Sequence, residues 1–406
     1  MKTRAPERLP LGALAALAMA AFVTILTEAL PAGLLPQMAH GLAVSEAWVG
    51  QTITVYAIGS LVAAIPLTAA TRGVRRRALL LAAIAGFVVA NTVTALSASY
   101  ALTMVARFLA GMSAGLLWAL LAGYAMRMVP AHQQGRAIAV AMLGTPLALS
   151  LGVPAGTWLG QLVGWRAGFG AMSVLALLLM FWVRLRLPDF AGQGAGSRQP
   201  LAQVLLLPGV RSVLFVVLAF VLAHNILYTY IAPFLASAGM AERTDLALLV
   251  FGLASLAGIG AVGALIDRHL RALTLASAAL FGLAVLLLGA GSGTPALVYT
   301  AIGLWGLAFG GAPTLYQTAL AKAGGDAADV AQSMLVTAWN TAIAGGGLAG
   351  GVLLERWGVG AFTPVLLVLL AATLAVVLAA RRHGFPVPTA GPARGLGAAG
   401  QRASSG

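Results

Sequence analysis

The sequence predicts an all-α membrane protein of twelve transmembrane helices in two pseudo-symmetric six-helix bundles, and three observations lead there. Hydrophobic residues make up 60% of the 406 and charged residues only 8%, against about 25% charged in a soluble domain. With a mean hydropathy of +0.96, the chain needs lipid as its solvent. Its apolar residues fall into twelve runs cut by Gly, Pro and charge, six on each side of one longer polar connection. Positive charge is uneven: 20 of the 24 Lys and Arg lie at the two ends or in even-numbered connections, which puts both termini in the cytoplasm. That topology accounts for the net charge of +14 without nucleic acid as a partner.

The first run sets the scale. From Leu9 to Thr27 no residue is charged, and such a helix spans roughly 28 Å, close to the ~30 Å of a bilayer core. Lys2, Arg4 and Arg8 before it give the outline of a signal peptide. The run is longer than a usual signal core and apolar runs continue after it, so an uncleaved first helix is expected. The first six spans run about 11–35, 47–70, 78–97, 100–125, 135–160 and 164–185. A Gly-rich polar stretch, Pro188 to Pro200, then reads as a flexible linker. The second six run about 211–236, 245–266, 272–291, 295–320, 329–353 and 359–380, followed by a Gly-, Pro- and Ser-rich tail expected to be disordered. The division is therefore an N-terminal bundle (1–187), a cytoplasmic linker (188–210), a C-terminal bundle (211–380) and a tail (381–406). GTWLGQLVGWRAGF (156–169) and GGVLLERWGVGAF (350–362) stand at matching places in the two halves, as an internal duplication requires.

Two charges within the spans are the first functional candidates. Glu28 near the end of the first span and Arg107 in the fourth reach the same depth, each about 7–10 Å below the outer face by helical rise. An intramembrane acid costs at least a few kcal/mol on insertion scales, which points to a role. We expect Glu28 and Arg107 to face a common cavity, where an acid that meets and leaves an arginine can bind and release a proton; a static ion pair fixing the packing is the plainer reading. Polar and aromatic positions that can face a solute are Asn91, His224, Asn225, Tyr228, Tyr316, Gln317, Trp339 and Asn340, each of which also serves as an interhelical hydrogen-bonding group. In the fifth span Gly144, Gly152, Gly156 and Gly160 recur with Pro146 and Pro154 among them. Small residues four apart let helices approach closely in lipid and prolines kink them, and we expect this seam to be where the two halves slide. Gly263, Asp267, Arg268 and Arg271 form a charged cytoplasmic connection, read as a latch between helices or as a solvated cluster.

Other classes lack their signatures. There is no GxxxxGK[ST] loop for an ATP-driven pump. There is no cysteine, and His40, His132, His224, His269 and His383 are scattered, so neither a metal site nor an enzyme with a resident cofactor is expected.

These motifs resemble the major facilitator superfamily over about residues 10–380, and within it the bacterial twelve-helix drug:proton antiporters of the sugar, nucleoside and chloramphenicol efflux branch. TEALPAGLLPQMA (27–39) is similar to that branch's first-helix signature, RFLAG (107–111) to the fourth-helix motif, and GTPLALSLGVPAG (144–156) to the fifth-helix antiporter motif. GALIDRHLR (263–271) resembles the loop motif and YTYIAPFL (228–235) also matches the branch. The chain has Ala110 where many members have Gln, and Ala70 where the first-half loop motif has Asp. The resemblance implies export of a small organic solute in exchange for protons by alternating access, with Glu28 and Arg107 in coupling. It implies a monomer in the bacterial inner membrane whose partners are the solute, protons and lipid. A passive facilitator or a proton symporter is the alternative.

Overall fold

The computed structural model describes residues 9–64, 67, 70–71, 73–130, 133–192, 201–291 and 294–386, and every regular element among them is helical. In the first half these are α1 (Leu11–Gly33), α2 (Leu35–Leu42), α3 (Glu46–Ala64), α4 (Arg76–Leu96) and α5 (Tyr100–Arg127). Then come α6 (Gln134–Met142), α7 (Gly144–Leu147), a π turn (Ala148–Gly152), α8 (Val153–Val163) and α9 (Trp165–Arg186). After α10 (Leu201–Leu205), the second half has α11 (Val210–Thr229), α12 (Ile231–Ser237), α13 (Thr244–Ala290), α14 (Pro295–Gly310), α15 (Ala312–Gly324), α16 (Ala328–Trp357) and α17 (Phe362–Ala379).

Ten stretches of the described residues are long and apolar enough to cross a membrane; α13 supplies two, and one runs through α6, α7, the π turn and α8. The remaining two expected spans, α3 and α16, are not among the ten. These two helices pack on each other across the halves, so protein replaces much of the lipid around them and α16 can carry Gln332, Ser333, Thr337, Asn340 and Thr341.

Breaks follow local chemistry. Pro31 lies in the last turn of α1, and Gly164 (φ 92°) and Gly358 (φ 71°) set the turns before α9 and before the last span. A positive φ favours Gly, so the two matching motifs share a structural function as well as letters. Pro154 cannot donate to the Ser150 carbonyl, and the helix there widens into the π turn. α13 runs unbroken through the expected connection at 267–271 except for a kink at His269.

The apolar faces divide by depth. About 67% of the α1 span and 72% of the α11 span are buried, against 39% for α9 and 28% for the last span, so the first and seventh spans are central and the others peripheral. Val174, Leu177, Leu178 and Phe181 of α9 are exposed, as a lipid-facing side requires. Within the halves the same crossing occurs twice. A Cβ on Gly111 or Gly115 of α5 would collide with the carbonyls of Tyr56 or Ser60 on α3, and one on Gly306 or Gly310 of α14 with those of Phe251 or Ser255 on α13. Each residue of the second set lies 195 positions after its counterpart.

The face bearing the chain ends is tied down by basic residues. Arg75 pairs with Asp189 at 2.5 Å, Arg77 donates to the Leu187 carbonyl, Tyr124 to Pro188, and Arg127 to Ala191. Asp189, from the stretch after α9, thereby supplies an acid beside the loop whose motif has Ala70. The hydrogen bond from Arg75 holds the Asp189 carboxyl below its ordinary value. At the other end Phe385 is fully buried and its carbonyl accepts from Arg271, so the start of the expected tail is packed. Residues 387–406 and 193–200 lie outside the described residues.

Candidate functional site

The first cluster grows from a missing donor. Pro31 has no N–H, so the Thr27 carbonyl one turn earlier in α1 has no helical partner. Arg107 of α5 takes it: Nη1 donates to Thr27 at 2.6 Å, Nη2 to the Glu28 carbonyl at 3.2 Å and Nε to the Thr52 carbonyl at 3.4 Å. The guanidinium is fully buried and lies 4.9 Å from the Tyr56 ring centroid and 5.9 Å from that of Phe169. Tyr56 in turn donates to the Thr24 carbonyl at 3.0 Å, and Asn91 donates to the Thr27 hydroxyl at 3.1 Å. Carbonyl dipoles and ring faces thus solvate a cation that would otherwise cost several kcal/mol in this setting.

Glu28 is only partly buried. Among the described residues no ion pair joins its carboxylate to Arg107, which holds the Glu28 main chain instead. The carboxylate remains within electrostatic reach of Arg107 and Tyr56 in the first half and of Tyr228 in the second.

The second cluster is aromatic. His224 of α11 stacks on Phe309 of α14 with centroids 3.5 Å apart, lies 5.2 Å from Tyr228, and sits near Phe251 and Trp305 at 5.7 and 5.3 Å. Trp339 of α16 joins through Phe309 at 6.1 Å, and Tyr316 of α15 through Phe220 at 5.6 Å. In this network four buried atoms, His224 Nδ1, Tyr228 Oη, Trp305 Nε1 and Tyr316 Oη, have no hydrogen-bond partner among the described residues. Leaving a buried polar group unpaired costs about 1–3 kcal/mol, so four in one cluster call for a cause.

At the face where α1 ends, the halves are locked together. Tyr230 donates to the Gly347 carbonyl at 2.7 Å and to Ala47 at 3.3 Å, and Gln51 donates to Gly347 at 3.1 Å. Ser45 bonds Glu355 at 2.9 Å nearby. Tyr230 fits because Gly50 and Gly351 leave room for its hydroxyl.

The sequence-predicted residues separate accordingly. Asn91 belongs with Glu28 and Arg107. His224, Tyr228, Tyr316 and Trp339 meet in the aromatic cluster, whereas Asn225 and Asn340 donate to carbonyls of their own helices, Val221 and Val336, and Gln317 is exposed. The fifth-span glycines Gly144, Gly152 and Gly156 abut Ala18, Phe22 and Leu30 of α1, and Gly160 abuts Leu34 just after it. Pro146 and Pro154 flank the π turn, and the other half approaches there through Gly252 against Ser150. Gly263 and Arg268 are exposed, and Arg271 caps the Val377 and Leu378 carbonyls of α17. The Asp267 side chain lies outside the described residues. Trp305, Phe309 and Phe251 were missed, although Trp305 and Phe309, four apart, fall on one helical face.

The family model described as Major Facilitator Superfamily matches residues 17–347. The chain belongs to the major facilitator superfamily. Members are membrane transporters of small molecules and not enzymes, which agrees with the apolar helices. A relative from Pseudomonas aeruginosa, named transcription regulatory protein OpdE, is 30% identical over 375 residues, covering 90% of this chain and 92% of the relative. A probable sugar efflux transporter from Mannheimia succiniciproducens is 28% identical over 349 residues, covering 84% and 87%. The likeness to this probable sugar efflux transporter supports the efflux-like resemblance drawn from the motifs.

Proposed function

We propose that the protein exports a small organic solute in exchange for protons, by alternating access between two six-helix bundles in a bacterial inner membrane. α3 and α16 supply the second and the eleventh of twelve spans, both termini are cytoplasmic, and the unit is a monomer. The observation that carries the reading is the placement of Glu28: a half-buried acid on a central helix, without an ion pair among the described residues, beside a buried arginine and within electrostatic reach of Tyr228 of the other half. Protonation of Glu28 changes the charge facing both halves, which is what coupling requires. The name of the Mannheimia relative supports efflux and sugar-like solutes.

A second reading has its own support. Arg107 is fully engaged by main-chain carbonyls, as a static clamp would be, and a static clamp fits a passive facilitator. The regulator name of the Pseudomonas relative is compatible with either, since moving an effector across the membrane alters transcription indirectly. Proteoliposomes separate the readings. With an imposed proton gradient the wild type concentrates solute uphill and Glu28→Gln only equilibrates it, with the protein inserted and folded; equal uphill transport by both would exclude Glu28 from coupling.

A further inference from the structure

The repeat that pairs the glycine crossings extends to the segments after the sixth and the last span. Arg76, Asp189 and Phe190 stand 195 positions before Arg271, Gly384 and Phe385. In the first half the Arg76 main-chain N–H donates to the Phe190 carbonyl at 2.9 Å, while the Arg75 side chain and the Arg77 main-chain N–H engage the Asp189 carboxylate. In the second half the Arg271 guanidinium donates to the Phe385 carbonyl at 3.1 Å, and Gly384 stands where the acid would be. Gly384 (φ 91°) rests on Gly209 (φ 90°), and a Cβ on Gly209 would collide with the Gly384 main chain. The second segment therefore docks as its counterpart does but brings no negative charge.

A basic groove lies beside it. Ser212, Arg381, Arg382 and His383 line a space of about 420 Å³ between the start of α11 and the end of α17. Among the described residues no carboxylate lines this groove, and neither arginine has an ion pair. We propose that the groove binds the headgroup of an anionic phospholipid, which brings to the second half the negative charge that Asp189 brings to the first. This rests on the chain spanning a membrane, not on proton coupling or on the direction of transport. Guanidinium groups hold phosphate through paired N–H donors, and the Ser212 hydroxyl adds a donor. The surroundings favour a lipid over soluble phosphate. The groove lies where two apolar spans end, and Leu378 of α17 and Phe215, one turn after Ser212 in α11, are exposed, so acyl chains can run along the protein below a seated headgroup. Arginines beside a span attract anionic lipid; here the fold adds a concave seat for it.

Native mass spectrometry of the full chain tests this. Protein in a non-ionic detergent is titrated in separate arms with dioleoyl phosphatidylglycerol, dioleoyl phosphatidylcholine and inorganic phosphate, and its melting temperature is followed in parallel. The wild type retains phosphatidylglycerol about tenfold more tightly than phosphatidylcholine, as two arginines near an anionic headgroup provide, and melts later with it; inorganic phosphate gives no such shift. Arg381→Gln combined with Arg382→Gln removes most of that preference. So does Ser212→Asp, which puts a carboxylate into the groove itself. Arg184→Gln combined with Arg186→Gln takes the same charge from exposed positions at the end of α9 and leaves the preference within about twofold. Equal retention of the two lipids, stabilisation by inorganic phosphate alone, equal losses in the two double variants, or an unchanged preference in the Arg381 and Arg382 variant with a native melting temperature would overturn the assignment.

Discussion

Four residues before the first glycine of the repeated crossing stands Arg107 in the first half and Ile302 in the second, and under that glycine lies Tyr56 in one and Phe251 in the other. The backbone solution is shared; the side chains are not. Around α5 the interior is polar, with a cation held by three carbonyls. Around α14 Ile302 is buried and the interior is filled by rings. One frame has been given an electrostatic filling in one half and an aromatic filling in the other.

Making the first half resemble the second tests this most severely. Arg107→Ile leaves the Thr27 carbonyl unpaired, at a cost of about 1–3 kcal/mol. It should lower melting temperature and reduce gradient-driven uptake into proteoliposomes by about 100-fold or more, about 3 kcal/mol in the coupled step. Uptake at the wild-type rate would show that the electrostatic filling is dispensable. A smaller and matched effect is expected from Gly111→Ala and Gly306→Ala. Each pushes a methyl group into a carbonyl of the facing helix, and overpacking of this kind costs about 1–3 kcal/mol. Thermal melting should fall by similar amounts in both, and a clear inequality would mean that the crossings are not equivalent. The smallest effect concerns Asp189, whose carboxyl is held low by Arg75. A depressed folded-state value stabilises the fold above the ordinary carboxylate range and loses that contribution as pH falls through the lowered value. Asp189→Asn should therefore melt slightly earlier than wild type near neutral pH, with the two curves converging under strongly acidic conditions.

Much of this frame was legible in the sequence because lipid imposes long apolar runs and Gly, Pro and charge mark their ends. The boundaries of α1, α5 and α9 lie within about two residues of the expected ones, within the spread of helix-end assignments. Glu28 and Arg107 stood out because a charge inside an apolar run is costly. Their relation was not legible: the bond to the Thr27 carbonyl depends on Pro31 and on the rotation of α5, and letters alone give neither. The glycine stripe of the fifth span was visible but its partner was not, since a stripe of small residues says that some helix comes close without saying which. Trp305 was hidden for the opposite reason. In a chain that is 60% hydrophobic another tryptophan looks like bulk, and its unpartnered N–H appears only when its neighbours are known.

The proline in α1 has a mechanical consequence. Because the carbonyl that Pro31 leaves open is the one Arg107 occupies, the end of α1 and the seating of the cation are tied together. A stroke that slid the fourth span past the first would strand a charge, or bring it to the carboxylate of Glu28 beside it.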